Sequence, residues 1–196
     1  MPQISLIGDS IRMDYEPLVA ERLAGRAAVW GPEENGGHSV NLLKHLHDWM
    51  IARSPSADVI HINAGLHDLA TITVASRDQV IPLEHYRRNV RTLLTALQEN
   101  TDAKLIWATA TPVIDQRFRD CWNNGEDVGF LRYNEDVLAY NHAAKQICTD
   151  LNIPVNDLYD VVQSASPEKI MQDDGIHFLE EGSAILAEAV AGVVVG

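Results

Sequence analysis

The chain is poor in positive charge. Its 196 residues carry 15 Lys and Arg against 28 Asp and Glu, a formal net charge of -13. Nucleic acids and anionic membranes both recruit basic surfaces, so neither is expected as the main partner. Cysteine is almost missing. Cys121 and Cys148 are the two present, with no CxxC pair. That excludes a disulfide framework and a cysteine-built zinc site, and it suits two unpaired thiols in a reducing compartment. No run approaches the ~20 apolar residues of a membrane span. The apolar stretch 184–195 is interrupted by Glu188 and reads as a packed helix. No basic region followed by a long apolar core opens the sequence, so no signal peptide is read and a cytoplasmic location is expected. GxGxxG, GxxxxGK[ST] and HExxH do not occur. With no nucleotide fingerprint and no helical zinc pair, no cofactor and no metal are expected.

What is present is the composition of one globular domain, 46% hydrophobic and 22% charged, spanning 1–196. Short apolar runs at 3–7, 27–30, 58–63, 104–108 and 153–156 alternate with helical patterns at 11–23, 39–51, 82–99, 130–150 and 180–194. The runs ISLI, DVIHI and KLIWA are nearly continuous in apolar residues, as strands covered on both faces must be. The alternation predicts a parallel sheet between two helical layers, whose active site lies at the carboxyl ends of the strands. Residues 112–129 form the longest stretch without a periodic pattern. They hold Arg117, Arg119, Trp122 and a turn at Asn123-Asn124-Gly125, and they read as a loop able to serve as a lid.

Four polar points fall at or just after strand ends. The first is Gly8-Asp9-Ser10, where a serine hydroxyl stands at the mouth of a strand-to-helix turn. Helix N-terminal N–H groups there stabilise negative charge. The second is 30–39, containing Asn35-Gly36-Gly37-His38-Ser39. The third is Gly65-Leu66-His67-Asp68, and the fourth is Thr109-Ala110-Thr111-Pro112. Near the far end stands Asp174-Gly175-Ile176-His177. A serine, an acid and a histidine are the parts of a nucleophilic hydrolase.

In this order and spacing, the blocks resemble those of the SGNH (GDSL-type) hydrolases over nearly the whole chain. The resemblance implies a three-layer α/β/α sandwich with a parallel five-stranded sheet in flavodoxin-like order 2-1-3-4-5. It also implies hydrolysis of a carboxylic ester through an acyl-enzyme. Ser10 matches the nucleophile, His177 the base and Asp174 the acid that orients it, with Asp173 a rival acid. Gly37 matches the glycine whose N–H joins that of Ser10 in holding the oxyanion, and Gly36 is the alternative one residue earlier. The third block departs from the family. His67 stands where the usual asparagine would donate to the oxyanion. An imidazole N–H can donate as well, more strongly if the ring is protonated. Arg12, His38 and Asn63 are candidate substrate contacts. Relatives of this fold take short acyl esters, acetylated sugars, lipids or thioesters. The short chain favours a small-molecule ester with a short acyl group, such as acetyl on a carbohydrate.

Three other readings use the same residues. Gly37-His38-Ser39 is close to a Gly-x-Ser-x-Gly nucleophile elbow, but Asn41 stands in the place of the second glycine; Ser39 would then be the nucleophile of an ordinary α/β-hydrolase. Histidine and aspartate at strand ends could hold zinc, although no close ligand spacing supports it. A non-catalytic, flavodoxin-like binding module would use the same cleft without needing Ser10 or His177.

Overall fold

Runs of β-branched and aliphatic residues become strands here because each can be covered on both faces. The computed structural model describes residues 1–53, 56–72, 75–126 and 130–195. Its strands are β1 (Gln3–Ile7), β2 (Ala28–Trp30), β3 (Val59–Asn63), β4 (Lys104–Ala108) and β5 (Val155–Asn156). They form one sheet in the order β2-β1-β3-β4-β5, with every neighbouring pair parallel. The parallel sheet is what the sequence pattern predicts, and its strand order is the one the family resemblance implies. β3 is buried along its whole length, and β1 and β4 are buried after their first residue. On one side α1 (Ser10–Arg22) packs on α8 (Glu180–Val194); on the other, α3 (Leu83–Asn100) packs on α5 (Asn134–Leu151). The chain leaves β1 for β2 on one side of it and returns to β3 on the other. The carboxyl ends of β1 and β3 therefore flank a crevice, where doubly wound sheets place their sites.

Several segments differ from the periodic pattern, each through contacts that are distant in sequence. The helix expected over 39–51 is α2 (Ser39–Lys44) followed by a π-helical turn, Leu46–Ile51, where His45 stacks on Trp49 at 4.1 Å. The helix expected from 130 begins at Asn134, because Leu131 is held in a bridge to Thr71. α6 (Leu158–Ser164) and α7 (Pro167–Ile170) are two further short helices that the periodic pattern does not mark.

The largest correction concerns 112–129. It is not a free loop but carries α4 (Asp115–Asn123), with Phe118 fully buried. The Ile114 N–H donates to Gly175 O at 2.9 Å, and the Arg117 guanidinium donates to Met171 O and Glu168 O. This ties α4 to the segment bearing Asp174 and His177. The turn at 123–125 is present, with Asn124 left-handed and Gly125 at φ 80°. Residues 127–129 lie outside the described residues.

β3 also places His61 in the core, fully buried. Its Nε2 accepts from Asn156 Nδ2 at 3.2 Å, and its Nδ1 has no partner. Burial lowers its pKa to about 4. The unfolded chain binds this proton below about pH 6.5 and the folded chain only near 4, so His61 costs stability as pH falls through that window, up to about 3 kcal/mol. Asp68 works the other way. Burial pushes it up to about 7 against the hydrogen bonds from Ser39, so the folded chain holds its proton more tightly and gains stability as pH falls. The two opposing slopes flatten the wild-type curve. His61→Gln is expected to gain stability relative to wild type progressively as pH is lowered from 6.5 to 4, measured as a difference in denaturation midpoints. A pH-independent difference would contradict this account.

Among the described residues, no helix is long and apolar enough to cross a membrane.

Candidate active site

β1 ends at Ile7, and Gly8-Asp9 turns the chain into α1. Asp9 caps that helix, its Oδ1 accepting from the Ile11 N–H at 3.1 Å. Ser10 is the first helical residue, so its own N–H has no acceptor within the helix and is available at the cleft. The loop after β2 packs directly on this turn. The Gly36 N–H donates to Gly8 O at 2.9 Å, and a Cβ at position 36 would lie 2.5 Å from that oxygen, so only glycine fits.

The C-terminal segment brings its two residues to the same point. A bridge between Met171 and Phe178 closes a turn in which Asp174 Oδ1 accepts from the N–H groups of Ile176 and His177, each at 2.9 Å. Asp174 Oδ2 lies 2.5 Å from His177 Nδ1, and His177 Nε2 lies 2.8 Å from Ser10 Oγ. Gly175, at φ 74°, lets this turn press against α4; a Cβ there would lie 2.6 Å from Ile114 O. Asp173, the rival acid, is exposed. Burial pushes the Asp174 carboxyl up, but hydrogen bonds from the His177 ring and from the Ile176 and His177 N–H groups outweigh it and hold the pKa below the usual value. An ionised Asp174 requires the proton on Nδ1 of His177, which leaves Nε2 as the acceptor for the serine proton.

The remaining sequence candidates separate into two groups. His67 lines the cleft beside Ser10 and His177. Burial lowers its pKa, with Arg132, His38 and His177 adding to the effect against Asp9, which favours the neutral ring over the charged donor. Its neighbour Asp68 is not available to pair with it. Asp68 is fully buried and accepts from the Ser39 N–H at 3.0 Å and from Ser39 Oγ at 2.5 Å. Asn89 Nδ2 donates to the same Ser39 Oγ. Ser39 is thus 1% exposed and bonded to an acid and an amide, with no histidine to activate it, which removes it as a nucleophile.

Arg12, His38 and Asn63, the candidate substrate contacts, are not among the described residues that line the cleft. The Arg12 guanidinium is buried, paired with Glu16 at 2.6 Å and donating to the carbonyls of Pro32 and Glu34. It clamps the loop after β2. His38 caps α2, its Nδ1 accepting from the Asn41 N–H at 3.2 Å. Asn63 Nδ2 donates to Ala108 O and Thr109 O, joining the ends of β3 and β4. Polar groups of all three thus have partners within the fold, Arg12 and Asn63 on backbone carbonyls and His38 Nδ1 on a backbone N–H. Gly37 meets the same objection. Its N–H donates to Asn35 Oδ1 at 2.8 Å, and that of Gly36 is taken by Gly8 O.

The cleft itself has a volume of about 390 Å³ and is lined by Ser10, Asn35, His67, Trp122, Arg132 and His177, with Asp9, Leu66, Phe130 and Ile176. Sequence reading missed Asn35 and Arg132. Asn35 directly precedes the glycine pair, and the folded loop puts it, and neither glycine, among the lining residues. Arg132 precedes α5 and carries no local motif. Among the described residues, no three His, Cys, Asp or Glu side chains are grouped as a metal site.

A family model described as GDSL-like Lipase/Acylhydrolase family matches residues 6–185. The chain is 29% identical to the GDSL esterase/lipase CPRD49 of Arabidopsis thaliana over 98% of its own length and 78% of that protein. It is 26% identical to a second Arabidopsis thaliana GDSL esterase/lipase, At5g62930, over 98% of its length and 85% of that protein. Among solved structures it resembles a lipase/acylhydrolase from Enterococcus faecalis, with a TM-score of 0.79 at 21% identity, covering 100% of this chain and 96% of that one. It also resembles the acetyl xylan esterase AlAXEase, with a TM-score of 0.74 at 19% identity, covering 98% and 99% of the two chains.

Proposed function

Since the chain belongs to the GDSL-like lipase/acylhydrolase family, we propose that it hydrolyses a small carboxylic ester through a serine acyl-enzyme. One observation carries this reading. Ser10 Oγ lies 2.8 Å from His177 Nε2, and the opposite ring nitrogen lies 2.5 Å from Asp174 Oδ2. His177 Nε2 takes the Ser10 proton as Oγ bonds to the acyl carbon. It then returns that proton to the alcohol oxygen as the ester C–O bond breaks. A water molecule repeats the sequence on the acyl-enzyme and frees Ser10. Asp174 keeps the imidazole in the required tautomer and stabilises the imidazolium.

The oxyanion is held by the Ser10 N–H, by Asn35 Nδ2 and by the neutral His67 ring. Asn35 takes the role expected of Gly37. The Gly37 N–H fixes Oδ1 of the amide, which turns Nδ2 into a donor of known orientation at the cleft. Asn35→Ala is expected to lower kcat by about 100-fold with a small change in KM, the low end for a lost oxyanion donor because Asn35 is exposed. Wild-type kcat in that variant would return the role to a backbone N–H. His67→Asn is expected to preserve the shape of the pH–rate profile, since a neutral donor replaces a neutral donor. A limb near neutrality that vanishes in the variant would mean that His67 works charged.

The acyl group is short, acetyl on a carbohydrate being the form that cleft size and the acetyl xylan esterase among the fold neighbours support. The test is labelling by a fluorophosphonate, read by intact-mass shift and peptide mapping, with a 4-nitrophenyl ester series of rising acyl length. One adduct on Ser10 and a rate maximum at short chains are expected. An adduct elsewhere would overturn the nucleophile, and a maximum at long chains would overturn the short acyl group.

A further inference from the structure

The cleft contains a cation that ester hydrolysis does not require. Arg132 is 7% exposed, and it lines the cleft together with Ser10, His67 and His177. Its Nε donates to Leu66 O at 2.6 Å, and its Cζ lies 5.1 Å from the Phe130 ring and 5.6 Å from the Phe118 ring. These contacts fix the plane of the guanidinium but use only one of its N–H groups. Among the described residues the two Nη groups have no hydrogen-bond partner, and neither is sealed from solvent as Arg12 Nε is. No carboxylate of the described residues is within ion-pair distance of it. Asp9 and Asp174 are near enough to favour its charge, but Asp9 caps α1 and Asp174 holds His177. Burial brings the guanidinium down to about 10, so it remains charged at neutral pH. A buried charge with open donors and no paired carboxylate among the described residues is costly to keep unless a ligand completes it.

We propose that Arg132 is an anion subsite and that the substrate is an ester carrying a carboxylate on its acid or its alcohol part. The proposal rests on the esterase reading of the same cleft. The guanidinium fork matches a carboxylate in a bidentate pair, which gives direction as well as attraction. A single cation suits a single negative charge. Among the described residues the cleft lining contains no second Lys or Arg to neutralise a phosphate dianion, and the net charge of -13 repels multiply charged ligands. Trp122 and Phe130, 54% and 45% exposed, supply an apolar wall for the uncharged remainder of the ester.

The experiment compares each carboxylate ester with its methyl-ketone isostere. 4-Nitrophenyl hemisuccinate against 4-nitrophenyl levulinate places the charge on the acid. 4-Acetoxybenzoate against 4-acetoxyacetophenone places it on the alcohol. Each enzymatic ratio is divided by the ratio for hydrolysis by hydroxide. In one arm, wild-type kcat/KM is expected to favour the carboxylate by about 10-fold or more, mainly through KM. The preference should shrink in Arg132→Lys and vanish in Arg132→Gln. The ratio is the readout, so a general loss of rate from loosening Leu66 does not imitate the effect. No preference in either arm, or a preference that survives Arg132→Gln, overturns the subsite. If neither neutral ester is cleaved in a Ser10-dependent way, the esterase reading fails separately. Calorimetry with succinate and 4-hydroxybenzoate then decides Arg132 alone: binding lost in Arg132→Gln supports the subsite, and equal or absent binding to the wild type overturns it.

Discussion

Ser10→Ala is expected to lower kcat/KM for every ester the protein accepts by on the order of 10⁶-fold, leaving only the rate from oxyanion donors and bound water. The size follows from what the hydroxyl does. In the proposed mechanism Oγ forms the covalent bond, and His177 Nε2, 2.8 Å away, has no other proton to take in that step. Folding should be nearly untouched. The Ser10 side chain makes no cap contact; Asp9 caps α1 and accepts the Ile11 N–H. The measurement is steady-state hydrolysis of a short 4-nitrophenyl ester beside a thermal melt. A variant that melts like wild type and retains more than about a hundredth of its activity would mean that another group attacks.

The second large effect is expected from Asp174→Asn, a loss of about 10⁴-fold in kcat with little change in KM. The substitution is nearly isosteric, and that makes it informative. The amide oxygen can still accept from the N–H groups of Ile176 and His177, as Oδ1 does at 2.9 Å, so the turn survives. The amide nitrogen then faces His177 Nδ1, where Oδ2 now lies at 2.5 Å. Two donors cannot share that position. The ring must move its proton to Nε2, which can then no longer accept from Ser10. Raising the pH should restore little, because the fault is the tautomer and not the charge. An Asp174→Asn variant within 10-fold of wild type would mean that the His177 ring is oriented by something other than Asp174.

The parts of the site differ in how far they could be read from the chain. Asp174 and His177 are three residues apart, and one turn joins them whatever the rest of the fold does. Ser10 follows an apolar strand and opens a helix, so its exposure at a strand end is also a local matter. The second block is different. Gly36 and Gly37 look alike in sequence, yet one N–H is used by Gly8 O across two loops and the other by Asn35 Oδ1. Arg12 illustrates the same limit from the other direction. A cation two positions after the nucleophile suggests a substrate contact, but Glu16 and the carbonyls of Pro32 and Glu34 surround it. Residues 112–129 lack periodicity strong enough to announce α4, whose place depends on Gly175 and on the carbonyls that bind Arg117.

By itself the sequence determined the alternation of the five strands with the long helices and the short spacings that single out Ser10, Asp174 and His177 as candidates. Apolar runs, turns and short spacings act within a few residues, and those are the interactions a linear pattern records. Tertiary structure alone decided that the Gly36 N–H is taken by Gly8 O, which arginine is a clamp and which is open to the cleft, and that Asp68 and Ser39 bind each other. Each of those outcomes depends on which polar groups find partners when loops 20 to 70 residues apart pack together. A buried donor takes the nearest acceptor, and only the groups left over are free to meet a substrate.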